Sequence, residues 1–217
     1  MQVFDCTDES ARSEGLTAAL EAIAADELVV LPTDTGYALG GDAFSSSVAR
    51  RIRSVKGMEK TAPLQVLISD RSVLDGIAIP ASYDAIALAD VFWPGPLTLI
   101  VPAQPTVTWD IGGHPELVQV RVPKHAVSQE LLRSSGPLAV SAARKNGSPI
   151  ISGVDDVADL AHHVVVFLDS GTITPSLSTI VDCSTSKEVT VLRKGPISVG
   201  QIVDVLGYMP RLVVDSG

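Results

Sequence analysis

The chain has 217 residues, of which 46% are hydrophobic and 19% charged, with a formal net charge of −9. That length holds one large domain with a substantial core, and the balance is globular, which excludes a disordered chain. No apolar run reaches the roughly 18 residues of a membrane span, the acidic start MQVFDCTDES is not a secretory signal, and the negative charge opposes non-specific binding to nucleic acid; the expected setting is the cytoplasm, with no membrane contact.

Ser10 to Asp26 reads as a helix with Ser10 as its cap, because Leu16, Leu20 and Ile23 fall at helical spacing among alanines. LVVL (28–31) is a short apolar strand ended by Pro32, and PTDTGYALG (32–40) follows as a strand-end turn. Residues 45–57 form a helix stopped by Gly57, and PLQVLIS (63–69) is a second buried strand. Residues 82–95 form a helix that Pro94 ends. Strands follow at 96–102 and 117–123, then a helix at 125–136 and a strand at 137–142 running into the polar turn RKNGS. A helix at 154–161 and a strand at 163–169 precede a hairpin of 178–184 with 188–195 and a closing helix at 197–207. Several strands adjoin without an intervening helix, so the expected fold class is α/β with a twisted mixed sheet, in one domain of residues 1–207 with a loose tail at 208–217.

The two cysteines, Cys6 and Cys183, have no metal-type spacing and read as free thiols. PTDTGYALG sets threonine hydroxyls, a carboxylate, a tyrosine and glycines directly after a buried strand, where a ligand can approach the backbone. The alternative is a glycine-rich connection with Thr33 as a helix cap. Lys56 and Lys60 flank the helix stop Gly57 and suit a phosphate, whereas Arg50, Arg51 and Arg53 read as a solvated face. Arg121 lies inside an apolar strand and needs an anionic partner unless it is on an edge facing water. Ser141, Ser178 and Thr179 stand at strand ends, and Arg193 precedes a Gly-Pro turn. His125 reads as a capping or surface residue, and His162 and His163 are adjacent. No nucleophile, base or metal site emerges from these spacings.

Taken in order over about residues 15–207, these segments resemble the YrdC-like family of threonylcarbamoyl-AMP synthases (YrdC/YciO type). The similar elements are PTDTGYALG, VKG with the PLQVLI strand, FWPGPLTLIV (92–101), VQVRVPKH (118–125), LAVSAA (138–143), STIVD (178–182) and LRKGPIS (192–198). FWPGPLTLIV is the most specific of them. The resemblance implies a sheet flanked by helices around a large concave, positively lined cavity. It also implies a nucleotidyltransferase that uses threonine, bicarbonate and ATP, with Mg2+, to make threonylcarbamoyl-AMP for tRNA modification. By motif position Thr35 and Ser178 would hold threonine, Ser141 would touch the threonine or the nucleotide, and Lys56, Arg121 and Arg193 would face the nucleotide phosphates or carboxylates.

The family's KxR arginine falls on Met58, the asparagine of its SAN on Ala143, and the polar residue before its Pro-Leu on Ala62. Lys60 or Arg144 would be the spatial substitutes. Two further readings stay open: a diverged paralogue that binds nucleotide, tRNA or double-stranded RNA without this synthesis, and an enzyme with another carbamoyl acceptor, which Gly36 and Ala38 in the opening motif would suit.

Overall fold

The computed structural model describes residues 1–79, 82–145, 147–185 and 188–213. Its elements are β1 (Gln2–Asp5), α1 (Glu9–Ala24), β2 (Val29–Thr33), β3 (Gly36–Asp42), α2 (Ser46–Lys56), β4 (Gln65–Leu67), α3 (Leu74–Ile77), α4 (Tyr83–Phe92) and β5 (Leu97–Pro102). They continue with β6 (Leu117–Arg121), α5 (Ala126–Ser135), β7 (Leu138–Ala142), β8 (Val166–Asp169), β9 (Thr179–Asp182), β10 (Thr190–Arg193), α6 (Val199–Leu206) and β11 (Arg211–Leu212). The strands form one mixed sheet in the order β1-β8-β2-β3-β7-β4-β6-β5-β9-β10-β11.

Side chains alternate across each strand, and here apolar clusters form on both faces. Leu28, Val30, Leu39, Val66 and Ala139 enter the larger apolar cluster with buried residues of α2, α4 and α6. Val29, Leu31, Ala38, Leu67, Leu138 and Val140 enter a second cluster with α1 and α5. That is why LVVL is continuously apolar rather than alternating. On the second face α1 and α5 pack mainly on β1, β2, β3 and β8, which leaves the face of the central strands open.

Several expectations change. The cap of α1 is Asp8, whose carboxylate accepts from the Ala11 N–H, rather than Ser10. Pro32 does not end β2, which pairs with β8 only at Val29 and Val30 and runs on to Thr33. The Pro32 carbonyl accepts from the Ser128 hydroxyl instead. PTDTGYALG is therefore a tight hairpin, and Thr33 caps no helix. Its second strand, β3, reads as loop in sequence because of its glycines, yet Gly40 lies so close to β7 that a Cβ there would stand 2.6 Å from Val140. α4 ends at Phe92, since the residue before a proline resists helical angles. Residues Val154–Asp159 form a 3-10 helix, not an α-helix. The tail returns to the sheet as β11, parallel to β10. Asn146 of the RKNGS turn, residues 186–187 of the hairpin turn, and 214–217 of the tail lie outside the described residues. β9 and β10 pair antiparallel, as expected of that hairpin.

Candidate active site

A cavity of about 260 Å³ opens on the uncovered face of the sheet, close to the lower end of the roughly 300–1,000 Å³ usual for ligand pockets. Its floor is built by alternate residues of neighbouring strands: Gly36 and Ala38, Gln65 and Leu67, Gln119 and Arg121, Val140 and Ala142, Ser178 and Ile180. Lys56, Met58, Arg144 and Arg193 stand on its walls. Four cations thus line one cavity in a chain of net charge −9, and among the described residues no aspartate or glutamate lines it.

Each cation is positioned by backbone. Lys56 closes α2, just before Gly57 ends the helix, and its ammonium donates to the carbonyls of Ala142 and Arg144 at the end of β7. Burial, and then the charge of Arg144, pulls its pKa down to about 8. Arg121 is buried at the end of β6. It donates to Thr35 Oγ1 (2.6 Å), Asp34 Oδ1 (2.6 Å) and the Gly95 carbonyl (2.9 Å). Burial lowers its pKa while Asp34 opposes that. Asp34 also accepts from the Lys124 N–H, so one carboxylate ties the β2–β3 turn to the chain after β6. Arg193, half-buried on β10, donates to the Ser178 carbonyl and hydroxyl. Burial and then the charge of Arg144 lower its pKa. Like charges held together in this way favour an anion between them.

The hydroxyls form a second set. Ser178 Oγ lies 2.7 Å from Thr98 Oγ1, to which the Gln65 amide donates. Thr33 donates to the Gly36 carbonyl and lies 3.2 Å from Thr35 Oγ1. Ser176 is held beside this turn by its N–H, which donates to the Thr35 carbonyl.

The folding brings Thr35, Ser141, Ser178, Lys56, Arg121 and Arg193 to this one cavity. It does not bring Lys60, which lines a separate cavity of about 210 Å³ with Trp109 and His114. Arg53 is not on a solvated face: it is 2% exposed and donates to the carbonyls of Ala62 and Asp110, tying two loops together. Arg50 and Arg51 do face water, near Asp110 and paired with Glu27 respectively. His125 occupies the N-cap position of α5 without a side-chain capping bond, and His162 and His163 are exposed. Both cysteines are free and buried. Of the three departures only Met58 lines the cavity, because Ala143 is packed in the core and the Ala62 carbonyl serves Arg53. Arg144, one of the two expected spatial substitutes, also lines the cavity, and Gln65, Gln119 and Ser176, which were not expected, complete the wall. Their signal in the sequence was slight, since each sits one or a few residues from a stronger motif.

Among the described residues no group of three or more His, Cys, Asp or Glu could hold a metal ion, and no helix is long and apolar enough to cross a membrane.

The family model for the Sua5, YciO and YrdC proteins, described as "Telomere recombination", matches residues 21–195. A protein of Mycobacterium tuberculosis provisionally named threonylcarbamoyl-AMP synthase is 41% identical over 208 residues, covering 95% of each chain. The threonylcarbamoyl-AMP synthase of Bacillus subtilis is 34% identical over 98% of this chain, which spans 62% of that longer protein. The crystal structure of Pyrococcus abyssi Sua5 complexed with L-threonine superposes with a TM-score of 0.86 at 30% identity, over 95% of this chain and 63% of the other. With more than half of its length matched by the family model and this fold around a cation-lined cavity, the chain belongs to the Sua5/YciO/YrdC family.

Proposed function

We propose that this protein is a threonylcarbamoyl-AMP synthase, a nucleotidyltransferase that joins threonine, bicarbonate and ATP and releases pyrophosphate. The observation that carries the reading is the cavity itself, in which four cations and a set of strand-end hydroxyls converge and, among the described residues, no carboxylate lines the wall. Family membership and the names of the relatives point the same way.

The chemistry asks little of the protein beyond placement. The threonine amine condenses with bicarbonate, losing water, to give a carbamate. One carbamate oxygen attacks the α-phosphorus, the bond to the β-phosphate oxygen breaks, and pyrophosphate leaves. The nucleophile belongs to the substrate, so the residues bind, orient and neutralise. Ser178 and Arg193, bonded to each other, suit the threonine carboxylate; Thr35 and Ser141 suit its polar groups. Lys56 and Arg121 neutralise phosphate. Arg121 has three of its five N–H groups committed to protein oxygens, which leaves two for a ligand. Magnesium enters as part of the substrate, on the triphosphate oxygens, because the wall offers it no carboxylate. We place the reaction in the cytoplasm, its product serving tRNA modification.

Pyrophosphate release from ATP is the test. Release that requires both threonine and bicarbonate is expected. Release that is independent of threonine, or that occurs only with another acceptor, overturns the assignment. ATP binding without any release favours the diverged paralogue.

A further inference from the structure

We propose that Arg144 supplies the second phosphate-binding guanidinium next to Lys56, the place that Met58 leaves apolar in this chain. The inference rests on the synthase reading and names a residue that no motif assigned.

Three observations carry it. First, Met58, Lys56 and Arg144 line the same cavity: Met58 follows Lys56 by two residues, and the Lys56 ammonium donates to the Arg144 carbonyl at 2.8 Å. Arg144 is thereby fixed at its backbone, two residues after the end of β7. Its segment is held further by the Ala143 N–H on the Tyr37 carbonyl and the Ile151 N–H on the Ala143 carbonyl.

Second, Arg144 is the least committed of the four cations. Among the described residues its guanidinium makes one hydrogen bond, from Nη1 to the Ser148 carbonyl at 3.1 Å. Among the described residues no carboxylate lies within ion-pair distance of it. A guanidinium has five N–H groups, so four remain. Arg121, by contrast, has three of its five N–H groups committed to Asp34, Thr35 and Gly95. Third, its charge is felt by both Lys56 and Arg193, whose pKa values it helps to lower. All three line the one cavity, so a single anion there meets all three charges. A planar fork with four free donors matches a polyphosphate better than an ammonium does.

The test is ATP affinity, measured by titration calorimetry on the full chain without threonine, so that it does not depend on turnover. Arg144→Met is expected to weaken ATP binding by about ten- to a hundredfold, the range of a lost charge-assisted contact. Arg144→Lys should fall between that variant and the parent. Restoring a guanidinium from the other side, in the double variant Met58→Arg with Arg144→Met, is expected to recover affinity to within about tenfold of the parent. A thermal melt of each variant confirms folding; should Arg144→Met melt early, Arg144→Lys and Met58→Arg carry the comparison. Unchanged ATP affinity in Arg144→Met overturns the proposal. So does a double variant that binds no better than the single one. A parent chain that binds ATP but releases no pyrophosphate with threonine and bicarbonate refutes the synthase reading instead, and the affinity series still decides the role of Arg144.

Discussion

Replacing Lys56 by methionine keeps an aliphatic stem of similar length and removes the ammonium, which isolates what the buried charge does. In the folded chain Lys56 loses its proton at about 8, and in the unfolded chain near its ordinary 10.5. Between those values the unfolded chain binds the additional proton, so raising the pH favours the folded state. The penalty for holding the charge is fully present below about pH 8 and gone by about pH 10.5. Across the interval it amounts to about 3 kcal/mol. Lys56 is only 5% exposed, so water screens little of it.

The thiols act with the opposite sign. Burial raises Cys6 from 9.0 to about 11 and Cys183 to about 12, so the folded chain keeps these protons longer and loses stability as the pH climbs past their ordinary value. The difference between parent and Lys56→Met removes that background. In urea unfolding from about pH 7 to about pH 10, the parent is expected to gain on the variant by up to about 3 kcal/mol. ATP affinity should move the other way. A phosphate beside Lys56 restores its proton, so the parent's affinity falls by up to about tenfold per pH unit above about pH 8. The variant is weaker, and its affinity is flat. A parent whose stability keeps pace with the variant's refutes the buried charge. A stability gain with pH-independent ATP affinity refutes the contact with phosphate.

Asp34→Ala leaves Arg121 buried without its carboxylate and is expected to cost about 3 kcal/mol, read as a lowered urea midpoint; Asp34→Asn, which keeps an acceptor oxygen, should lose less. Gly195→Ala sets a Cβ 2.5 Å from both the Leu177 carbonyl and the Thr179 N–H, and so displaces Ser178. Threonine affinity measured by calorimetry should fall at least about tenfold, and an unchanged value would show that Ser178 does not hold the amino acid. Cys6 and Cys183 should react with a thiol reagent such as Ellman's only on unfolding, at a rate that follows global opening, because both are buried and their thiolates are disfavoured.

Local order in the sequence was enough for much of the fold. The stop at Gly57 is a chemical signal, and it appears in the structure as the left-handed cap of α2. The apolar strands were legible because a strand buried on both faces is a run with few alternatives. β3 was not, since its glycines read as a turn until β7 is placed against Gly40. β1 was missed for the opposite reason: QVFD is mostly exposed, and only its pairing with β8 makes it a strand.

The site divides in the same way. The residue types and their order over the chain pointed to a phosphate-handling cavity and to Thr35, Ser141, Ser178, Lys56, Arg121 and Arg193. Which cations share that cavity was a matter of three dimensions. Lys60 and Arg144 are equally basic in sequence, yet the loop after Gly57 carries Lys60 to the cavity beside Trp109, while the end of β7 delivers Arg144 to Lys56. Arg53 and Arg50 belong to one helix, and its packing buries the first and exposes the second. A side chain's charge is set by its chemistry; its partners and its solvation follow from strands and loops far apart in the chain, and those only the tertiary structure brings together.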